Sequence, residues 1–201
     1  MRISGAAAAC LEVMEYQSSW PPADRRLYAP PSSQVTWYLW DMKDWKEDRI
    51  AAAERAENPT VLARMRTGWA VIGDTQHLPG YCLLLYAGTA NHLTDLPRDE
   101  RSRFLLDLSL LGEAVEASCG RRDQAFRRLN YEVLGNSWEH LHGHIHPRYE
   151  WEPPRLLHSP VWCYGDERTA PKHRLGPQHE ELRAEIAHAL TGILSEAYEQ
   201  A

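Results

Sequence analysis

The sequence predicts an α+β fold in which an antiparallel sheet packs on one long helix. Three observations carry this. Short apolar runs of strand length lie on either side of a long amphipathic stretch. The segments Arg128–Leu134 and His140–His146 are joined by too few residues for a parallel crossover, which makes them antiparallel neighbours. The order strand, strand, helix, strand, strand also departs from β-α-β alternation, and no Gly-x-Gly-x-x-Gly or Walker loop is present.

Taken in order, residues 1–34 read as an irregular arm, because Pro21, Pro22, Pro30 and Pro31 are flanked by Ser18, Ser19, Ser32 and Ser33. Trp20, Leu27 and Tyr28 suggest that this arm is packed on something. Gln34–Trp40 is aromatic and β-branched, as a short strand would be. Lys43–Met65 favours helix, interrupted at Asn58-Pro59, with Thr60 starting a second short helix. Gly68–Asp74 and Gly80–Ala87 are strand-length apolar runs joined by a loop at Thr75–Pro79. Pro97 opens the long helix, which ends near Cys119-Gly120. Phe104, Leu108, Leu111 and Val115 form its apolar stripe. Arg128–Leu134 alternates polar and apolar residues as a strand does. The next strand carries the histidines, with Pro147 as its expected end. Glu150–Pro160 reads as loop, Val161–Tyr164 as a short strand, and Pro177–Tyr198 as a final helix with Leu182, Ile186, Ala189, Leu190 and Ile193 on one face. The implied organisation is an N-terminal arm and helical extension at 1–60, a core at 61–150, and a C-terminal loop and helix packed on that core at 151–201.

A hydrophobic content of 43% with eight tryptophans is ample for a core. The net charge of −6 argues against nonspecific nucleic-acid binding, which needs a broad basic footprint. No apolar run has the length of a membrane span, and the N-terminus lacks the apolar stretch of a signal peptide. The four cysteines, Cys10, Cys82, Cys119 and Cys163, form no Cys-x-x-Cys pair. They read as reduced thiols of a cytoplasmic protein.

The chemistry concentrates in Gly135–Tyr149. His140, His142, His144 and His146 stand two residues apart, so a strand would put all four on one face and turn Leu141, Gly143 and Ile145 to the other. Three readings compete. A purely structural row is costly, since each buried imidazole needs a partner. A metal site is chemically reasonable but needs a third ligand and carboxylate support, for which Glu132 and Glu139 are the nearby acids. In the third reading a neutral imidazole attacks phosphorus while its neighbours hold the phosphate oxygens.

The pattern His140-x-His142-x-His144 followed by Ile145-His146-Pro147-Arg148 resembles the motif of the histidine triad (HIT) family. The flanks agree with it. Gly135-Asn136-Ser137 resembles the family's Gly-Gln-Ser/Thr. Asp74 followed by Pro79-Gly80 resembles its upstream strand entry, and His92 with Asp95-Leu96 resembles its approach to the central helix. Asn130-Tyr131-x-x-Leu134-Gly135-Asn136 is similar to bacterial diadenosine-polyphosphate-hydrolase-like members. The resemblance implies a HIT-like sheet of about five antiparallel strands with a long central helix and terminal extensions. It implies a nucleotide hydrolase or nucleotidyl transferase acting on a phosphoanhydride or phosphoramidate through a covalent nucleotidyl-histidine intermediate. His142 would be the nucleophile, with His140 and His144 beside it. Asn136, Ser137, Asn130, Asp74 and His92 would bind phosphate or nucleotide. His146, Glu139, Trp138 and Arg148 are candidate accessory residues. No cofactor is required, although a divalent metal is compatible with the row. The expected partners are a small-molecule nucleotide and a second copy of the chain, paired through the long helix and a sheet edge.

The sequence departs from the family at four places. Asn136 stands for Gln, Gly143 for a larger apolar residue, and His146 for an apolar one, and the Tyr86–Asn91 turn lacks the usual base. Other readings of the chain are a metal-dependent or metal-binding protein using the row, a nucleotide-binding module with poor turnover, and a triad scaffold recruited to specialised metabolite biosynthesis. Arg148 reads equally as a surface partner of Glu150, and Trp151 and Trp162 as core or subunit contacts. His77, His158, His173, His179 and His188 read as surface residues.

Overall fold

The computed structural model describes residues 45–199. The expected arm and the strand at Gln34–Trp40 lie outside the described residues. The chain divides between Asn58 and Pro59. On the first side of that division, α1 (Arg49–Glu54) is capped by the Asp48 carboxylate, which accepts from the Ala51 amide at 2.9 Å. This satisfies one of the donors that a helix start leaves unpaired.

From Pro59 onward the elements are β1 (Val61–Arg64), β2 (Gly68–Ile72), β3 (Cys82–Tyr86), α2 (Arg98–Arg122), β4 (Phe126–Glu132), β5 (His142–Tyr149) and α3 (Glu180–Glu199). The five strands form one sheet in the order β1-β2-β3-β5-β4, and every neighbouring pair is antiparallel. The expected α+β fold is therefore present.

Four of the differences from the sequence reading have a clear physical reason or change an element's type. The second short helix expected from Thr60 is strand β1, whose four residues are too few to show a period and take their conformation from pairing with β2. Helix α2 runs through Gly120 to Arg122 and is closed by Asp123. Pro147 lies inside β5 rather than ending it. Pairing with β3 covers only His142–Ile145, so the missing amide of Pro147 falls beyond that neighbour. Val161–Thr169 is 3-10 helix kinked at Gly165, not a strand.

The sheet has two contrasting faces. Opposed residues in an antiparallel pair share a face. Cys82, Leu84 and Tyr86 of β3, Ala70 and Ile72 of β2 and Ile145 of β5 turn toward α2 and α3 and form the core with Phe104, Leu108, Leu111, Val115, Ile186 and Leu190. The expected stripe of α2 is thus the buried one. Buried Asp107 ties this layer together. It accepts from the Thr67 amide and hydroxyl, both at 2.7 Å, and from the Tyr198 hydroxyl of α3 at 2.7 Å. Gly143 is small for a packing reason. A Cβ there would sit 2.7 Å from a methyl of Leu108, so α2 occupies the space that a larger residue would need.

Cys82 and Cys119 are buried free thiols, as expected. Cys163 is disulfide-bonded, which corrects the reading of four reduced cysteines. No helix of the described residues is long and apolar enough to cross a membrane.

Two glycines separate tight from open positions. A Cβ at Gly68 would lie 1.9 Å from the backbone carbonyl oxygen of Leu85, which no rotamer change relieves, whereas at exposed Gly192 of α3 it would meet nothing within 4 Å. Gly68→Ala is expected to destabilise by about 1–3 kcal/mol. Gly192→Ala is expected to stabilise by roughly 0.5–1 kcal/mol. Urea denaturation of both variants checks the contrast.

Candidate active site

The face of the sheet away from α2 carries His142, His144, His146 and Arg148 of β5. In register beside them are Glu132, Asn130 and Arg128 of β4 and Leu85 and Leu83 of β3. Leu141 and Ile145 point to the core, as the two-residue period requires. His140 precedes the strand, so the row consists of three strand histidines and one from the entering loop.

The partners of these rings fix their protons. Nδ1 of His142 lies 2.6 Å from the carbonyl oxygen of His140. A carbonyl only accepts, so this nitrogen carries the proton and Nε2 holds the lone pair. By the same logic Nε2 of His140, 2.7 Å from the Tyr86 carbonyl oxygen, is its protonated nitrogen. Nδ1 of His144 meets the Tyr81 hydroxyl at 2.8 Å. His146 stacks on the Tyr81 ring with centroids 4.4 Å apart, and its Nε2 is buried without a hydrogen-bond partner, 3.9 Å from a Glu132 carboxylate oxygen.

Burial drives all three strand histidines toward the neutral form, and it deepens along the strand. His142 is lowered by burial, partly offset by its bond to the His140 carbonyl. His144 is pushed down to about 3, by burial first and then by His142 and Arg168. His146 is also lowered well below its ordinary value, first by burial and then by His144, Arg168 and Arg148. Glu132 is raised by burial.

His142 stands at the open end of this gradient. Trp138 lies across the His140 ring at 4.8 Å and tilts against His142 at 5.2 Å. A cavity of about 150 Å³ opens beside His142, lined also by His92, Asn91, Leu134 and Gly135. Gly135 has a φ of 74°, a conformation that suits glycine, and a Cβ there would come within 3.9 Å of the His92 ring.

The other expected residues divide. Asn130 and Arg148 share the face of the row and bond to each other at 2.8 Å. His92 shares the cavity with His142. Asn136, Ser137 and Glu139 are exposed in the loop before β5 and make no hydrogen bond with the row among the described residues. Asp74 follows β2, and its carbonyl oxygen accepts from the Leu175 amide at 2.8 Å. Arg148 is not a surface partner of Glu150. It is buried with Glu152, to which it donates from Nε and Nη2 at 2.8–3.0 Å, and it also donates to the carbonyl oxygens of Leu156 and Ser159. Its donors are spent inside the protein, so it tethers the segment after β5. Trp151 is half exposed and stacks on Tyr149 at 4.8 Å.

Three residues of the site were not marked as site residues by the sequence, Trp162 being read there as a core or subunit contact. Tyr81 pairs with two of the histidines. Trp162 meets His144 and His146 edge-on at 5.3 and 5.7 Å and donates to Glu132 at 2.5 Å. Arg168 lies over the Trp162 ring at 4.4 Å. Its Nε is buried without a hydrogen-bond partner. These come from the loop before β3 and from the 3-10 segment, and only folding brings them to the row.

Residues 61–151 match the family model of the HIT domain. No curated relative matches the sequence. Among solved structures, a histidine triad protein from Marinobacter aquaeolei is 23% identical, covering 68% of this chain and 88% of its own with a TM-score of 0.50. One from Sinorhizobium meliloti is 19% identical, covering 70% and 94% with a TM-score of 0.53. A hypothetical histidine triad nucleotide-binding protein from Sulfolobus tokodaii is 15% identical, covering 72% and 91% with a TM-score of 0.53. These likenesses establish the shared fold.

Depressed histidines make stability depend on pH in a defined direction. His144 stays neutral in the folded protein down to about pH 3, whereas in the unfolded chain it protonates near its ordinary 6.5. Between those values the unfolded state binds the extra proton, so stability is present above 6.5 and is lost as pH falls toward 3. Each such histidine contributes a slope of about 1.4 kcal/mol per pH unit. Denaturation midpoints between neutral pH and pH 4.5 should fall less steeply in His144→Gln than in the parent.

Proposed function

We propose that the protein is a nucleotide hydrolase or nucleotidyl transferase that works through a covalent intermediate on His142. Members of the HIT family are generally enzymes of these two kinds. One observation carries the reading: the carbonyl of His140 holds the proton of His142 on Nδ1, and burial keeps the ring neutral. Its Nε2 lone pair is therefore free at neutral pH beside an open cavity.

In the proposed reaction that lone pair attacks the phosphorus of a phosphoanhydride or phosphoramidate. The bond to the leaving group breaks, and the leaving atom takes its electron pair. Water or another acceptor then attacks the same phosphorus, breaks the P–N bond and releases the monophosphate or transfer product. The proton on Nδ1 stays in place, and the His140 carbonyl stabilises the charge the ring acquires. The Tyr81 hydroxyl, donating to Nδ1 of His144, would leave that ring an Nε2–H for a phosphate oxygen. Asn136 and Ser137 would reach phosphate by movement of their exposed loop, and His92 lines the cavity for the nucleotide. Glu139 and Trp138 sit in the same loop, where a leaving group would pass. A polar cavity of about 320 Å³ over β4, lined by Arg127, Arg128, Asn130 and His158, gives room for an anionic remainder of the substrate.

Incubation with labelled dinucleoside polyphosphates and nucleoside phosphoramidates, with and without chelator, tests the reading. Release of monophosphate should survive chelation and fall at least about 10³-fold in His142→Ala. Activity that is lost on chelation yet normal in His142→Ala overturns it.

A homodimer belongs to the same proposal. β4 is a sheet edge, and Tyr131, Val133 and Leu134 at that edge are exposed together with Leu105 and Leu106 of α2. Light scattering should give twice the monomer mass for the parent and a shift toward monomer for Tyr131→Glu.

A further inference from the structure

We propose that His77, Glu167 and His173 form a binding site for a divalent metal ion of the zinc class, which fastens the segment covering the histidine row. The three residues come from separate stretches of chain. His77 lies in the loop between β2 and β3, and Glu167 and His173 lie in the 3-10 turns before α3. One donor atom of each lies within 4.8 Å of the others. Nδ1 of His77 is 3.2 Å from Nε2 of His173, which is 2.9 Å from a carboxylate oxygen of Glu167.

Protons alone satisfy this arrangement poorly. Nε2 of His173 carries either one hydrogen or one lone pair, and it faces two groups. If it donates to Glu167, the same hydrogen is all that it can offer to His77. If it accepts from His77, its lone pair is aimed at a carboxylate oxygen. A cation among the three atoms would take a lone pair from each. Zinc–nitrogen bonds of about 2.0–2.1 Å in a tetrahedron place ligand atoms roughly 3.3–3.5 Å apart. The His77–His173 and His173–Glu167 separations of 3.2 and 2.9 Å lie close to that spacing. Two imidazoles and one carboxylate with a fourth position for water match zinc and its neighbours rather than calcium or magnesium, which prefer oxygen shells. Lys172 now neutralises Glu167 at 2.5 Å. Its long exposed side chain can swing away when a cation arrives.

The surroundings are built rather than incidental. Residues 173–175 run beside residues 74–76. The Gln76 amide donates to the His173 carbonyl oxygen at 2.6 Å, the Leu175 amide to the Asp74 carbonyl oxygen at 2.8 Å, and Thr75 bridges Arg174. The His77 ring is set edge-on against Tyr164 at 4.4 Å. The backbone thus holds two of the ligands in place before any ion binds. The segment so fastened carries Trp162 and Arg168, which cover His144 and His146. An ion at this site therefore stabilises that cover without touching the row.

Metal-free full-length protein is titrated with Zn²⁺ by calorimetry and with Co²⁺ by ligand-field absorption, and its thermal midpoint is read with and without Zn²⁺. The expected result is one equivalent bound, a tetrahedral Co²⁺ spectrum and a raised midpoint. Affinity should fall at least about tenfold in His77→Ala and in His173→Ala and stay unchanged in His142→Asn. Lys172→Ala should bind more tightly, a gain that poor folding does not produce. No binding, or binding that persists in His173→Ala and disappears in His142→Asn, overturns the proposal.

Discussion

Strand β5 is buried on both faces along its whole length, and the rest of the structure follows from that constraint. One face is hydrocarbon against α2. The other is imidazole and guanidinium, covered by Tyr81, Trp162 and the segment after the strand. Desolvation of the second face turns a run of histidines into a run of neutral rings, because a charged ring there would lose its hydration. The cover is thinnest at His142 and thickest at His146. Position along one strand therefore assigns roles: the ring with access to a cavity is suited to nucleophilic chemistry, and the most enclosed ring to packing.

That enclosure depends on a second buried interaction. Arg148 and Glu152 face each other in the interior, and their bonds reach Asn130, Tyr164 and the carbonyls of Leu156 and Ser159. A buried pair of this kind contributes little net stability, but loss of one partner leaves the other charge stranded. It gives direction instead. It turns the chain after β5 back over the sheet, so that Trp162 and Arg168 arrive at His144 and His146. The polar face of the sheet is thus closed by its own continuation.

The spacing of the histidines, read with the period of a strand, already determined that they share a face and that Leu141, Gly143 and Ile145 share the other. The stripe of α2, the two strands before it and the antiparallel pairing of β4 with β5 were equally legible, because each rests on local periodicity or a short connection. The flanking motifs pointed to the family in the same way. Tertiary structure alone decided what local pattern cannot carry. It made β1 a strand, since four residues take their conformation from a neighbour. It kept Pro147 within β5, since β3 ends before reaching it. It gave Gly143 its reason in a leucine thirty-five residues upstream. It took Arg148 out of solvent and gave it Glu152. It also brought Tyr81, Trp162 and Arg168 to the row and His77 to His173, because contacts between residues far apart in sequence leave no periodic trace in the chain.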